Sequence, residues 1–173
     1  MADFDRLKKV VHDIASGFED GALGCLDEHH IEIGNLVREQ LYSGLDGNES
    51  SLEPSYTDDP FFDQPGRWHG DPDGYIEWKE RITPPESGRI LHLPARHRDI
   101  PNLFITGRFH ESILVSAYNG SVFVDTVGFN DGPEIVRKYG EKILGLGATA
   151  RSHIVLTMLA PWFERFVREK GYV

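Results

Sequence analysis

Eight of the ten prolines of this 173-residue chain fall between Leu45 and Pro101. Each proline lacks an N–H and fixes φ, so a long helix or an inner strand cannot run through such a stretch. Gly, Asp, Ser and aromatics fill much of the rest, as in Glu53-Pro-Ser-Tyr-Thr-Asp-Asp-Pro-Phe-Phe-Asp-Gln-Pro-Gly-Arg-Trp68. That aromatic content is too high for a disordered linker. Residues 45–101 therefore read as a long ordered loop insertion lying against the domain or against a neighbour, and long ordered loops usually carry function. Inside it, Tyr75, Trp78 and Ile82 have helical spacing, and Thr83-Pro84-Pro85 ends that segment. Arg89 to Leu93 reads as a short strand or extended piece.

Regular structure must then come from the flanks. Phe4, Leu7, Val11, Ile14 and Phe18 recur at steps of three and four, which predicts a first helix. Gly17, Gly21 and Gly24 predict a break or bend, and a second helix is expected from about Ala22 to Tyr42 with Leu26, Ile33, Val37 and Leu41 on one stripe. A β-hairpin is the firmest local feature. Ile113 to Tyr118 and Ser121 to Thr126 alternate, and Asn119-Gly120 suits a type I′ turn, which needs positive φ at both positions. A short helix is expected from Pro133 to Tyr139. A last helix spans 150–170, and Pro161 should kink it. The expected fold class is α+β. A small antiparallel sheet with a central hairpin packs against N- and C-terminal helices. One domain, 1–173, divides into N-terminal helices (1–43), the insertion (45–101), a hairpin and turn core (102–147) and a C-terminal helix (148–173).

A net charge of −10 disfavours general nucleic-acid binding, which needs clustered Lys and Arg. No uninterrupted run of about 18 apolar residues is present, so no membrane partner is expected. A single cysteine, Cys25, excludes an internal disulfide and sits in an apolar helical pattern.

Catalytic patterns are sparse. The eight histidines include no His-x-x-x-His or His-Glu-x-x-His spacing. His92 and His97 could join His69, Asp71 or Asp99 around a metal only if the insertion folded back on itself. Ser112 lacks a Gly-x-Ser-x-Gly context. Gly145-x-Gly147 has no Gly-Lys-Ser/Thr after it and so is no phosphate loop. No catalytic, cofactor-binding or metal-ligating residue is assigned. Phe61, Phe62, Arg67, Trp68 and Trp78 are candidates for an assembly interface, because aromatics and Arg dominate the energetic centres of protein contacts. The competing reading is a satellite core beneath the insertion.

The segment Asn102-Leu-Phe-Ile-Thr-Gly-Arg-Phe-His-Glu-Ser-Ile113 runs straight into the hairpin. This Thr-Gly…Ser-Ile unit followed by a strand resembles the core of the virion-morphogenesis and head-tail-joining families of tailed phages. Leu45 to Tyr56, Tyr75 to Ile82 and Gly132 to Gly145 stand where those families carry their flanking segments. The resemblance implies a non-enzymatic virion protein of the neck, a tail-completion subunit assembled in the host cytoplasm. Its expected partners are copies of itself in a ring and other neck, portal-adaptor or tail proteins. Arg108, on the polar side of the Thr-Gly turn, joins the candidate interface. The alternative is a small metal-dependent hydrolase built on the His- and Asp-rich loop.

Overall fold

The computed structural model describes residues 2–85 and 89–172. It shows an α+β fold with a two-stranded antiparallel sheet among helices. The expectation for residues 86–88 of the insertion lies outside the described residues.

Helix α1 (Ala2–Glu28) runs unbroken through Gly17, Gly21 and Gly24, against the expected break. The turn into α2 (His30–Tyr42) comes at His29 instead. The reason lies across the helix. A Cβ on Gly21 would stand 2.6 Å from the Trp162 ring, and one on Gly17 would stand 3.4 Å from Phe166. Glycine costs an α-helix about 1 kcal/mol relative to alanine, but at Gly21 its missing side chain admits the Trp162 ring from the C-terminal helix, while at Gly17 a Cβ would make an ordinary contact. Gly24 is different, since a Cβ there would meet nothing within 4 Å.

Hairpin strands β1 (Ile113–Tyr118) and β2 (Ser121–Thr126) pair from Ile113↔Thr126 to Tyr118↔Ser121. Asn119 (φ 50) and Gly120 (φ 74) both adopt the left-handed conformation that the turn requires. Ile113 and Val115 point inward onto α2, while Leu114 and Tyr118 face out. Two linked cores result. One joins Cys25, Ile33, Leu36 and Val115 to Ala150, Ile154 and Met158. The other gathers Val37, Leu41, Leu52, Phe109, Ile113 and Ile143.

The insertion holds a 3-10 turn at Pro60–Asp63 and helix α3 (Pro72–Ile82). The Asp59 and Asp71 carboxylates cap them by accepting from the N–H groups of Phe61 and Gly74. Arg89 to Leu93 forms no strand. The Glu39 carboxylate on α2 accepts from Ile90 N–H at 2.8 Å and Leu91 N–H at 2.9 Å, so one side chain takes the place of a sheet partner. A short helix α4 (Arg108–Glu111) starts at Gly107, whose φ of 84 sets the corner.

After α5 (Gly132–Tyr139), the chain enters α6 (Ala148–Ile154), a π-helical turn (Val155–Leu159) and α7 (Ala160–Glu169). The expected kink at Pro161 is this π turn. Pro161 has no N–H, and in a regular helix its ring would strike the carbonyl four residues back. Widening the preceding turn, so that Ala160 N–H donates to Val155 O, moves that carbonyl aside. The stretch Glu141–Glu169 is long and apolar enough to cross a membrane by length and composition, with a window of mean hydropathy 1.4. Its Ala150, Ile154 and Met158 belong to the core, while Val155 and Leu156 are exposed.

Two glycines separate propensity from packing. A Cβ on Gly47 would lie 2.6 Å from the Gly145 backbone, which cannot step aside as a side chain can. Gly47→Ala is expected to cost about 3 kcal/mol or more, in the range of strain and overpacking defects. Gly24→Ala should gain up to about 1 kcal/mol from helix propensity. Urea melts of the two variants check this, and equal midpoints would contradict the packing at Gly47.

Candidate assembly interface

Five of the six predicted interface residues converge, and Tyr75 on α3 is the hub that gathers them. Its ring centroid lies 5.1 Å from Tyr56, 5.4 Å from Phe62, 5.6 Å from Trp68 and 5.4 Å from Trp78. These are the separations at which tilted and edge-to-face aromatic pairs attract. Phe61 packs edge-on against Phe62 at 5.2 Å. The Arg67 guanidinium lies 4.6 Å over the Trp68 ring, a cation–π contact. The two readings of these aromatics divide by residue. Phe62, Tyr56 and Ile76 are a buried satellite core, whereas Phe61 is 46% exposed and Trp68 and Trp78 are half-buried.

The exposed rings open into an apolar cleft of about 310 Å³, closed on its far side by Ile105, Lys138 and Tyr139. Lys138 forms an ion pair with the buried carboxylate of Asp59 in its wall. Burial, and then the charge of Asp59, pushes the Tyr75 phenol up to about 12. Burial also raises the phenols of Tyr56 and Tyr139. The cleft's rings therefore stay neutral at any ordinary pH, and its walls are π faces with one neutralised ion pair.

Arg108 does not join this cluster. It is exposed on α4 and lines a separate cleft of about 440 Å³ with Glu111, Val127, Phe129 and Asp131. Sequence reasoning missed Tyr75, Ile105, Lys138 and Tyr139. Tyr75 had only a helical-spacing signal, and the other three come from segments far along the chain.

Lys79, His110 and Arg38 form a neighbouring group of nitrogen donors. Lys79 is 1% exposed, and its ammonium donates to the Phe104 carbonyl. Burial, and then Arg96, lowers its pKa to about 7. His110 Nε2 donates to Asn102 O at 2.8 Å. Burial lowers its pKa to about 4 against the pull of that carbonyl, and Arg38 and Lys79 lower it further. Arg38 donates to the carbonyls of His110 at 2.8 Å and Ile113 at 2.7 Å. Carbonyl oxygens, rather than carboxylates, thus accept these side chains' hydrogen bonds. Lys79 and His110 are sealed from solvent, so the lowered amine pKa makes no accessible nucleophile.

The residues of the metal-dependent alternative do not converge on one site, although Asp99 N–H lies 3.4 Å from His97 Nδ1. His69 Nδ1 bonds Gln64 O at 3.2 Å. The Asp99 carboxylate accepts from Thr57 N–H at 3.0 Å and from the Thr57 hydroxyl at 2.9 Å. Among the described residues, no group of three His, Cys, Asp or Glu is placed to hold a metal ion. Cys25 is buried, its thiol points at Met158 O, and burial raises its pKa. No protein-family model, curated protein or solved structure matches this chain.

The buried amine makes stability pH-dependent. An unfolded lysine titrates near 10.5 and folded Lys79 near 7, so the unfolded chain takes up the proton first as pH falls. Stability from this group therefore declines as pH falls from about 10.5 to 7, by about 1.4 kcal/mol for each pH unit crossed, and is level below. His110 adds a second decline as pH falls from about 6.5 to 4. Lys79→Met should abolish the alkaline slope and raise stability at pH 7 by about 2 kcal/mol, leaving the acid decline intact. Urea melts between pH 4 and 10 measure both limbs. A variant that keeps the wild-type alkaline slope would place its source elsewhere.

Proposed function

We propose that this chain is a structural subunit of the neck of a tailed bacteriophage, a head-tail joining or tail-completion protein that works as one copy in a ring. The observation that carries this reading is surface the single chain leaves uncovered. From Phe4 to Gly24 no described side chain of α1 is buried, and Phe4, Leu7, Val11 and Phe18 are exposed along it. The helix is covered along one side by α7, through Phe18 against Trp162 and Phe163. A helical stalk with this much open apolar surface is built to meet other protein. The two-stranded sheet adds to this, since among the described residues neither strand has a further strand on its outer side. The order of Thr-Gly corner, short helix, hairpin and helix agrees with the resemblance to virion-morphogenesis proteins.

The mechanism is multivalent docking. Many copies of a modest interface sum around a ring, and a heterologous contact closes by rotation. Partners are further copies and the portal-adaptor or tail proteins above and below, in a virion assembled in the host cytoplasm. A net charge of −10 suits a subunit that lets DNA pass without holding it. The metal-dependent hydrolase has no converged ligand set among the described residues to support it.

Native mass spectrometry tests the reading. The expected result is a closed oligomer at an integer multiple of the 19.6 kDa chain, unchanged by chelator. A monomer that carries one metal ion and loses it to chelator would replace the neck subunit with the hydrolase.

A further inference from the structure

The insertion carries a core of its own. Tyr56, Phe62 and Ile76 are buried together, with Trp68 and Tyr75 packed against them, and none of the five belongs to either core of the body. The backbone closes locally too. Gly70 N–H donates to Phe62 O at 2.8 Å, and the Asp59 and Asp71 carboxylates cap the turn and the helix that they precede. Residues 53–82 thus form a small lobe with its own apolar cluster and its own hydrogen bonds.

The ties between this lobe and its surroundings are mainly polar. Tyr56 N–H donates to Asp99 O at 2.9 Å, the Asp99 carboxylate accepts from Thr57, and Lys79 donates to Phe104 O. Glu80 and Arg98 pair at 3.5 Å with both side chains about half exposed, and a surface pair of that kind is worth little. The ion pair of Asp59 with Lys138 is different, since it reaches α5 in the body and the Asp59 side chain is only 7% exposed. The other Asp59 oxygen is already engaged by Phe61 N–H. Without the ammonium, that carboxylate would stay desolvated unless the lobe moved off and let water in.

The aromatic cleft lies across this junction. Phe61, Trp68, Tyr75 and Trp78 wall it from the lobe, whereas Ile105, Lys138 and Tyr139 wall it from the other side. Segments that share few buried contacts with their surroundings open below the global unfolding free energy, in cooperative units.

We infer that residues 53–82 open from the body as one cooperative unit, latched by the Lys138–Asp59 ion pair, and that this motion parts the walls of the aromatic cleft. The device belongs to the single chain and stands independently of the ring-subunit reading.

Native-state hydrogen exchange of the full-length chain tests it. The N–H groups of Phe62, Gly70 and Tyr75 are bonded inside the lobe, that of Tyr56 crosses the junction, and those of Ser43 and Val127 are bonded inside the body. The first four should share one protection factor, about 100-fold or more below those of Ser43 and Val127. Lys138→Met should lower the shared value by a further factor of about 10 or more and leave Ser43 and Val127 unchanged. Lys138→Arg keeps the charge and should stay near wild type. In the wild-type chain alone, lobe amides as protected as those of the body, or with protection factors unrelated to one another, overturn the cooperative unit. Wild-type protection of the lobe in Lys138→Met, or an equal loss in lobe and body, overturns the latch.

Discussion

The buried carboxylate of Asp46 is the fixed point from which the rest of this fold is hung. It is fully buried just past the end of α2, and it accepts from the N–H groups of Asn48 at 2.8 Å and Ser50 at 3.0 Å. Its second oxygen meets the Lys142 ammonium at 2.9 Å, while the Lys142 carbonyl accepts from Gly47 N–H at 2.8 Å. Burial alone would raise the Asp46 pKa, but the bonds from Lys142, Ser50 and Asn48 outweigh it and the net direction is down. The carboxylate is therefore held charged, and removing the half-exposed Lys142 would leave it a desolvated ion, which is the expensive way to break such a pair. Gln40 repeats the link one turn earlier, donating to Gly145 O at 3.0 Å and accepting from Gly147 N–H at 2.8 Å. Glu49 adds a third, accepting from Thr149 N–H at 2.6 Å. Three polar side chains thus weld the end of α2 to the start of α6, more than 90 residues later, and the backbone approach at Gly47 and Gly145 leaves no room for a Cβ.

Much follows from that weld. It sets α6 against α2, which brings Ala150, Ile154 and Met158 onto Ile33 and Leu36. It also fixes where the insertion leaves the body, since Leu52, a few residues on, is seated beside Val37, Leu41 and Ile143. The insertion then crosses the body with little regular structure of its own, so its backbone groups need other partners. Tyr56 N–H donates to Asp99 O, Glu39 holds Ile90 and Leu91, and Lys79 and Arg96 reach carbonyls on the return segment. Long side chains stand in for strands. That explains how a proline-rich segment can be ordered, and why a lysine is buried beneath it despite the cost of desolvating its amine.

Local chemistry was legible in the sequence and distant chemistry was not. The hairpin could be read because Asn119-Gly120 and the alternation on either side determine it within fifteen residues. The cluster around Phe61, Phe62, Arg67, Trp68 and Trp78 could be read by residue type, since few solvated loops carry so many rings. Arg108 was drawn into that group by the Thr-Gly motif, and the fold puts it on another face. Gly17, Gly21 and Gly24 looked like a helix break or bend because glycine's propensity is a property of the residue alone, whereas Trp162, which makes Gly21 useful, arrives from the other end of the chain. Arg89 to Leu93 read as a strand or an extended piece, and nothing nearby in sequence announces that a glutamate fifty residues earlier will take two of its N–H groups. The exact partners in the cleft wall, Ile105, Lys138 and Tyr139, were invisible on the same grounds.

The molecule is therefore unequal in its firmness. The body around Asp46 has two buried cores and side chains bridging distant segments. The stalk has an aromatic seam, Phe18, Trp162, Phe163 and Phe166, and among the described side chains of α1 none before Cys25 is buried. Local opening free energies track such differences in buried contact, so the stalk's outer turns belong at the low end of the molecule's range. A helix this weakly covered gains most from a partner, because docking supplies the burial that the chain itself does not. Ordering its side chains on docking costs part of that gain. The net contact would then be modest, which fits the ring subunit proposed above: attachment stays reversible while a ring is built and becomes secure when the last copy closes it.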